Sequence, residues 1–277
     1  MQSSDLELTT RVQIPNAPFM IYPSDRLLFV GSCFAAEMGK RFSDDAFLTI
    51  VNPYGVMYNP ASILHTIDKY RNKISKKYRN ITAVFTLGTN HVYILKETGE
   101  IVDNCQKRPA SLFVEKELEI DECVNYLEQA IVLLHDIAEN VKTIITVSPI
   151  RYKKYGYHES RLSKAILLLA ADRVVKHHKN EAYYFPAYEL MNDELRDYRF
   201  YKPDMLHPSD QAVDYIHQHF CNAVMSDDAR LFSEEWRPIR QALNHRPLEP
   251  QSESFRHFLE QTRDKERKFK DKWAIEE

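Results

Sequence analysis

Short apolar runs alternate along this chain with longer segments of helical period, and most of the apolar runs end at a polar junction. The first run, Arg26-Leu27-Leu28-Phe29-Val30, stops at Gly31-Ser32. Apolar side chains then recur at 34, 35, 38 and 42, the spacing of one helix face. Leu48-Thr49-Ile50-Val51 ends at Asn52-Pro53-Tyr54-Gly55, and a helix over 60–69 follows, with Asn59 as its N-cap and Pro60 in its first turn. Ala83 to Leu87 ends at Gly88-Thr89-Asn90, and Thr143 to Val147 ends at Ser148-Pro149. Helices are predicted over 122–139, 160–178 and 210–225, with a short strand over 182–185.

Strands alternating with helices predict an α/β fold, a three-layer α/β/α sandwich around a mostly parallel sheet. In such sheets ligands bind beyond the carboxyl ends of the strands. The junctions therefore gather Ser32, Asn52, Gly55, Asn59, Asn90, Ser148 and Arg151 at one rim. Residues 1–20 read as an irregular N-terminal arm, and 21–226 as the α/β domain. From 227 to 277 charged residues dominate, and Trp236 and Trp273 are the only tryptophans. That segment reads as a charged helical appendage packed on the domain, with a helix over 254–273; a partner-binding arm is the alternative.

Composition narrows the functional classes. The chain has 277 residues and a hydrophobic fraction of 44%, enough for a substantial core. A net charge of -3 does not suit a nucleic-acid binder. The four cysteines are scattered without a CxxC pair, so neither a disulfide framework nor a zinc motif is expected. No stretch approaches the roughly 18 apolar residues that span a bilayer, and the N-terminus lacks the pattern of a signal peptide. A cytoplasmic protein is expected. His177 and His178 are adjacent, and His217 and His219 are two apart. Neither spacing puts two rings on one helix face, so solvated histidines are expected rather than a metal site. The basic run from Lys69 to Arg79 reads as a solvated helix end, or as a contact for an anionic glycan or head group.

The candidate chemistry lies at two places. Ser32 sits at a strand-to-helix junction, and a serine needs a base to become a nucleophile. Far along the chain, Lys202-Pro203-Asp204-Met205-Leu206-His207-Pro208 puts an aspartate three residues before a histidine on a proline-flanked loop. One loop can thus offer His207 to Ser32 and seat Asp204 against the other ring nitrogen. Cys33 is a rival nucleophile, or a small residue on the inner face of the helix. Arg151 either clamps a substrate carboxylate or phosphate or pairs with a nearby acid.

The string Gly31-Ser32-Cys33-Phe34-Ala35 resembles the signature of the GSCFA family, within the SGNH or GDSL-like hydrolase superfamily. Residues 52–62, Phe85 to Thr89, Val102 to Cys105, Thr146 to Arg151 and the Asp204–His207 loop extend the resemblance over about 20–225. It implies a flavodoxin-like three-layer fold, and a serine esterase or O-acyl transferase needing no metal or organic cofactor. Ser32, Asp204 and His207 would form the catalytic triad. The oxyanion hole would combine the N–H groups of Ser32 and Gly55 with the Asn90 side chain, and Asn59 and Asn104 are rival donors. Cysteine stands where relatives often carry an aspartate beside the serine, and His91 stands in place of the aspartate after the asparagine. The implied substrate is a small or carbohydrate-linked ester; the alternative is a non-catalytic module that binds a glycan or a partner.

Overall fold

The computed structural model describes residues 9–247 and 251–274. The first part of the predicted N-terminal arm lies outside them; from Val12 to Phe19 the chain is irregular and lays apolar side chains on the core. The elements run β1 (Arg26–Gly31), α1 (Cys33–Asp44), β2 (Thr49–Val51), α2 (Pro60–Arg71), β3 (Tyr78–Leu87), β4 (His91–Leu95), β5 (Ile101–Val102) and β6 (Phe113–Glu117). Then come α3 (Ile120–Ile137), β7 (Ala138–Val147), α4 (Gly156–His177), β8 (Ala182–Tyr184), the single turn α5 (Ala187–Glu189), α6 (Asp210–Val224), α7 (Asp227–Leu243) and α8 (Glu253–Trp273).

The main sheet is parallel throughout, in the order β2-β1-β3-β7-β8. β1 is buried on both faces, so its sequence is a continuous apolar run and not an alternation. The period of two still decides where each side chain goes. Leu27 and Phe29 join the core beneath α1 and α6, while Leu28 and Val30 join the one beneath α2, α3 and α4. This is the predicted three-layer sandwich. Phe42 of α1 anchors the first layer, its ring 5.6 Å from Phe29, 5.3 Å from Phe47 and 5.7 Å from Phe220.

The charged C-terminal segment forms α7 and α8, which extend that layer. Phe232 and Trp236 of α7 meet Phe269 of α8 at 4.8 and 5.1 Å. Trp236 Nε1 donates to Asp44 O at 2.8 Å, and Ser233 Oγ donates to Asp45 at 2.8 Å, fixing α7 to the end of α1. No helix among the described residues is long and apolar enough to cross a membrane.

Several element bounds depart from the sequence reading: β3 begins at Tyr78 rather than Ala83, and α4 at Gly156 rather than 160. The helix expected over 122–139 runs from Ile120 to Ile137, because Ala138 turns to extended geometry and Ala138 to Asn140 pair with Tyr78 to Asn80. A three-stranded antiparallel sheet, β5-β4-β6, occupies the stretch between β3 and α3. Its strands are short, and β6 is mostly exposed and charged, so the apolar pattern was faint.

The register of the main sheet levels the ends of three strands. Gly31 of β1 pairs with Thr86 of β3, and Thr86 pairs with Thr146 of β7. Ser32, Gly88 and Ser148 therefore emerge close together, where the strand order reverses beside β1. Gly31 makes this approach possible. Its φ is +145°, and a Cβ there would stand 2.3 Å from Thr86 O and 2.5 Å from Thr86 Oγ1. Gly31→Ala is expected to cost about 3 kcal/mol of stability, at the upper end of overpacking effects, and chemical denaturation measures it.

Candidate active site

Ser32 is the N-cap of α1. Its backbone is extended, and its Oγ accepts from Phe34 N at 3.2 Å. The side chain is 1% exposed and sits in a cluster of hydroxyls. Ser32 Oγ donates to Ser148 Oγ at 2.9 Å and lies 3.0 Å from Thr86 Oγ1. Ser32 N–H donates to Thr86 Oγ1 at 2.9 Å and to Thr86 O at 3.1 Å. With that N–H bonded to its oxygen, the Thr86 hydroxyl is free to donate its own proton to Ser32 Oγ.

The Asp204–His207 loop is rigid for local reasons. Asp204 Oδ1 accepts the N–H groups of Leu206 at 2.8 Å and His207 at 3.0 Å, and Asp204 Oδ2 lies 2.6 Å from His207 Nδ1. Met205 takes the left-handed turn at φ +58°. Lys202 N–H donates to His207 O at 2.7 Å, and Arg151 N–H to Leu206 O at 3.0 Å. The backbone N–H bonds of His207 and Leu206, with the His207 ring, hold the Asp204 carboxyl down at about 2. Nδ1 thus faces the aspartate, and Nε2 has no partner among the described residues.

Ser32 and His207 line one cavity of about 220 Å³, together with Tyr58, Gly88, Ser148 and Arg151. No hydrogen bond joins Ser32 to His207; the serine proton goes to Ser148. Tyr58 presents its hydroxyl 3.9 Å from Cys33 Sγ, and burial, reinforced by Cys33, pushes its pKa up to about 12.

The other expected donors lie elsewhere. Gly55 N–H closes a turn onto Asn52 O at 2.9 Å. Gly55 and Asn104 line a separate recess of about 420 Å³. Asn104 Oδ1 accepts Gln106 N–H at 2.7 Å within its own loop. Asn59 caps α2 by accepting Ser62 N–H at 2.9 Å. Asn90 is fully buried and donates to Leu118 O at 2.9 Å, tying the start of β4 to the approach to α3. Arg151 lines the Ser32 cavity and forms no ion pair with a nearby acid among the described residues.

Of the histidines expected to be solvated, His177 stays exposed, and it and its neighbour His178 also find partners. His177 lies 2.6 Å from Glu128, and His178 lies 2.8 Å from Glu181. His217 packs on the Phe42 ring at 5.1 Å, and burial, with Arg41 nearby, lowers its pKa to about 4. Its helix face turns toward the core, which the adjacent polar residues had masked. Among the described residues no group of three or more His, Cys, Asp and Glu side chains could hold a metal ion. In the basic run, Lys69 pairs with Asp103 at 2.8 Å and Arg71 with Asp68 at 2.7 Å.

Sequence reasoning missed Thr86, Tyr58 and Lys164. Lys164 of α4 is 3% exposed and has no carboxylate beside it. Its Nζ donates to Gly88 O at 2.7 Å and Ser148 O at 2.8 Å, the first carbonyls beyond β3 and β7. Burial pushes its pKa down to about 7. The neighbouring Ser163 Oγ accepts Asn90 N–H at 3.0 Å, so α4 braces this edge at successive residues. The signal was a lysine in the apolar stripe Leu167, Ala171, Val174.

The model of the GSCFA family matches residues 26–83 and 77–220, and that of the GSCFA domain protein, C-terminal domain, matches 236–275. No curated protein matches the chain. Similar crystal structures include a member of the lipolytic protein G-D-S-L family from Veillonella parvula, at 12% identity and a TM-score of 0.46, covering 71% of this chain and 96% of its own. Another is a proposed acylhydrolase from Bacteroides fragilis, at 15% identity and a TM-score of 0.46, covering 74% of this chain and 89% of its own.

Proposed function

The chain belongs to the GSCFA family, and on that footing we propose that it is a serine hydrolase or O-acyl transferase acting on a small or carbohydrate-linked ester. The observation that carries this reading is the shared cavity, in which Ser32 at a helix start meets a histidine already fixed by an aspartate. Ser32 turns about χ1 from Ser148 toward His207 Nε2, which takes its proton as Oγ attacks the ester carbonyl carbon. The tetrahedral intermediate collapses, and His207 returns the proton to the departing alcohol. Water, or an acceptor hydroxyl, then attacks the acyl-serine, again deprotonated by His207.

The developing oxyanion meets the positive end of α1. The N–H of Cys33 opens that helix and has no carbonyl four residues back to bond. The Tyr58 hydroxyl, which lines the same cavity, is the second donor. These two take the place of the expected Ser32, Gly55 and Asn90 donors, which are engaged by Thr86, Asn52 and Leu118.

A second reading, a non-catalytic module binding a glycan or a partner, is favoured by one observation: the Ser32 hydroxyl rests within the Thr86–Ser148 cluster and not on His207. A fluorophosphonate probe separates the two. Covalent labelling of Ser32, located by mass spectrometry and lost in Ser32→Ala, is the expected result. A folded protein that stays unlabelled overturns the hydrolase reading, and labelling that survives Ser32→Ala but not Cys33→Ala moves the nucleophile to Cys33.

A further inference from the structure

The cavity at Ser32 does not close behind Arg151. A second recess of about 370 Å³ adjoins it, and Ile150 and Arg151 line both. Their charge is one-sided. Arg151, Lys153 and Lys154 line the first, Arg151, Arg161 and Lys164 line the second, and no aspartate or glutamate lines either among the described residues. This contrasts with a chain of 37 basic and 40 acidic residues. A concave surface of one sign concentrates ligands of the other.

These cations are not equivalent. Lys154 lies 3.2 Å from Glu115, and Lys164 is committed to its two carbonyls. Arg151 and Arg161 form no ion pair among the described residues. The Arg151 guanidinium is held by aromatic rings, 4.2 Å from the centre of Tyr201, 5.5 Å from Tyr198 and 5.7 Å from Tyr157. Rings engage the flat face of a guanidinium through their quadrupole and leave its in-plane N–H groups available. Such a fork is oriented, charged and uncompensated, which suits a carboxylate or phosphate.

We propose that this recess receives an anionic group, a carboxylate or a phosphate, carried by the ester that Ser32 cleaves, with Arg151 and Arg161 as its partners. The proposal rests on the hydrolase reading above and specifies its substrate class. Arg151 lies at the junction of the two cavities, so the charged group extends from the reacting carbonyl past Arg151 toward Arg161.

Two matched ester pairs test it. Mono-4-nitrophenyl succinate against 4-nitrophenyl butyrate places the charge on the acyl side. 4-Acetoxybenzoate against 4-acetoxytoluene places it on the leaving group. In one of the pairs the anionic ester is expected to have a kcat/KM at least about tenfold higher, a preference that shrinks with added salt as ionic attraction is screened. The anionic-to-neutral ratio is expected to fall toward one in Arg151→Gln and partway in Arg161→Gln. If the neutral ester is equal or better in both pairs, the proposal is overturned. If the folded protein cleaves none of the four esters and takes no fluorophosphonate label, the hydrolase reading has failed and the recess is judged by calorimetry with monomethyl succinate and monomethyl phosphate. Binding of either, lost in Arg151→Gln, retains the anion site and identifies its group; binding of neither overturns it.

Discussion

If the proposed function holds, replacing His207 with alanine is expected to lower kcat for ester hydrolysis by about 10⁴-fold or more, the scale on which loss of a single triad base acts in serine hydrolases, and to leave thermal stability nearly unchanged. The two halves of this expectation have different structural origins. The His207 ring is over a third exposed, and the loop around it is held by backbone bonds from Lys202 and Arg151 and by the Asp204 carboxylate. Removing the ring deletes one hydrogen bond at the surface, so the melting temperature should move by no more than a typical surface substitution does. Asp204→Asn is the informative companion. Asparagine keeps an oxygen to accept the Leu206 and His207 N–H groups, so the turn survives, but it cannot stabilise the imidazolium that forms during attack. Its kcat should fall with the fold intact. Steady-state rates with 4-nitrophenyl acetate and circular-dichroism melts of both variants check this. A kcat for His207→Ala within tenfold of the parent chain would remove His207 from the mechanism.

The Asp204–His207 contact and the place of Ser32 at a helix start were legible in the sequence because each is a local construction. Gly31-Ser32 closes a buried run and opens a helix, and three-residue spacing with a proline on either side is enough to fold Asp204 against His207. Even the partition of Leu27 and Phe29 from Leu28 and Val30 follows from strand period alone. The proposed oxyanion donors were not legible. Whether a backbone N–H or an amide faces a cavity depends on which acceptor reaches it first, and those acceptors are set by turn geometry and tertiary packing. Gly55 spends its N–H within its own turn, and Asn90 spends its side chain on Leu118, 28 positions away. The same distinction explains Thr86. A hydroxyl within an apolar strand is unremarkable until the register of β1 against β3 sets it beside Ser32.

Lys164→Met should produce the second large effect, and it reads out in pH as well as in rate. Lys164 ties the carbonyls of Gly88 and Ser148, and Ser148 is the residue that holds the Ser32 proton. Methionine fills the space without donating, so both carbonyls lose a buried partner and the two turns are free to separate. A displacement near 1 Å at a reacting group costs about 100-fold in rate, and that is the expected loss in kcat. The stability signature follows from proton linkage. The folded-state pKa of Lys164 is depressed to about 7 from its ordinary 10.5. Below pH 7 the amine is protonated in both folded and unfolded chains, so it contributes no slope, and the folded state bears the full cost of a buried charge. Between about 7 and 10.5 the unfolded chain binds the proton that the folded chain has released, so stability rises with pH, by a slope approaching about 1.4 kcal/mol per unit. A neutral amine still donates to both carbonyls, so the brace survives deprotonation. Denaturant unfolding of the parent chain and of Lys164→Met across pH 6 to 10 isolates this contribution: the parent gains stability relative to the variant as pH rises through 7. Parallel curves would mean that Lys164 keeps its ordinary pKa, and unchanged kcat would show that the Gly88 and Ser148 turns hold their places without it.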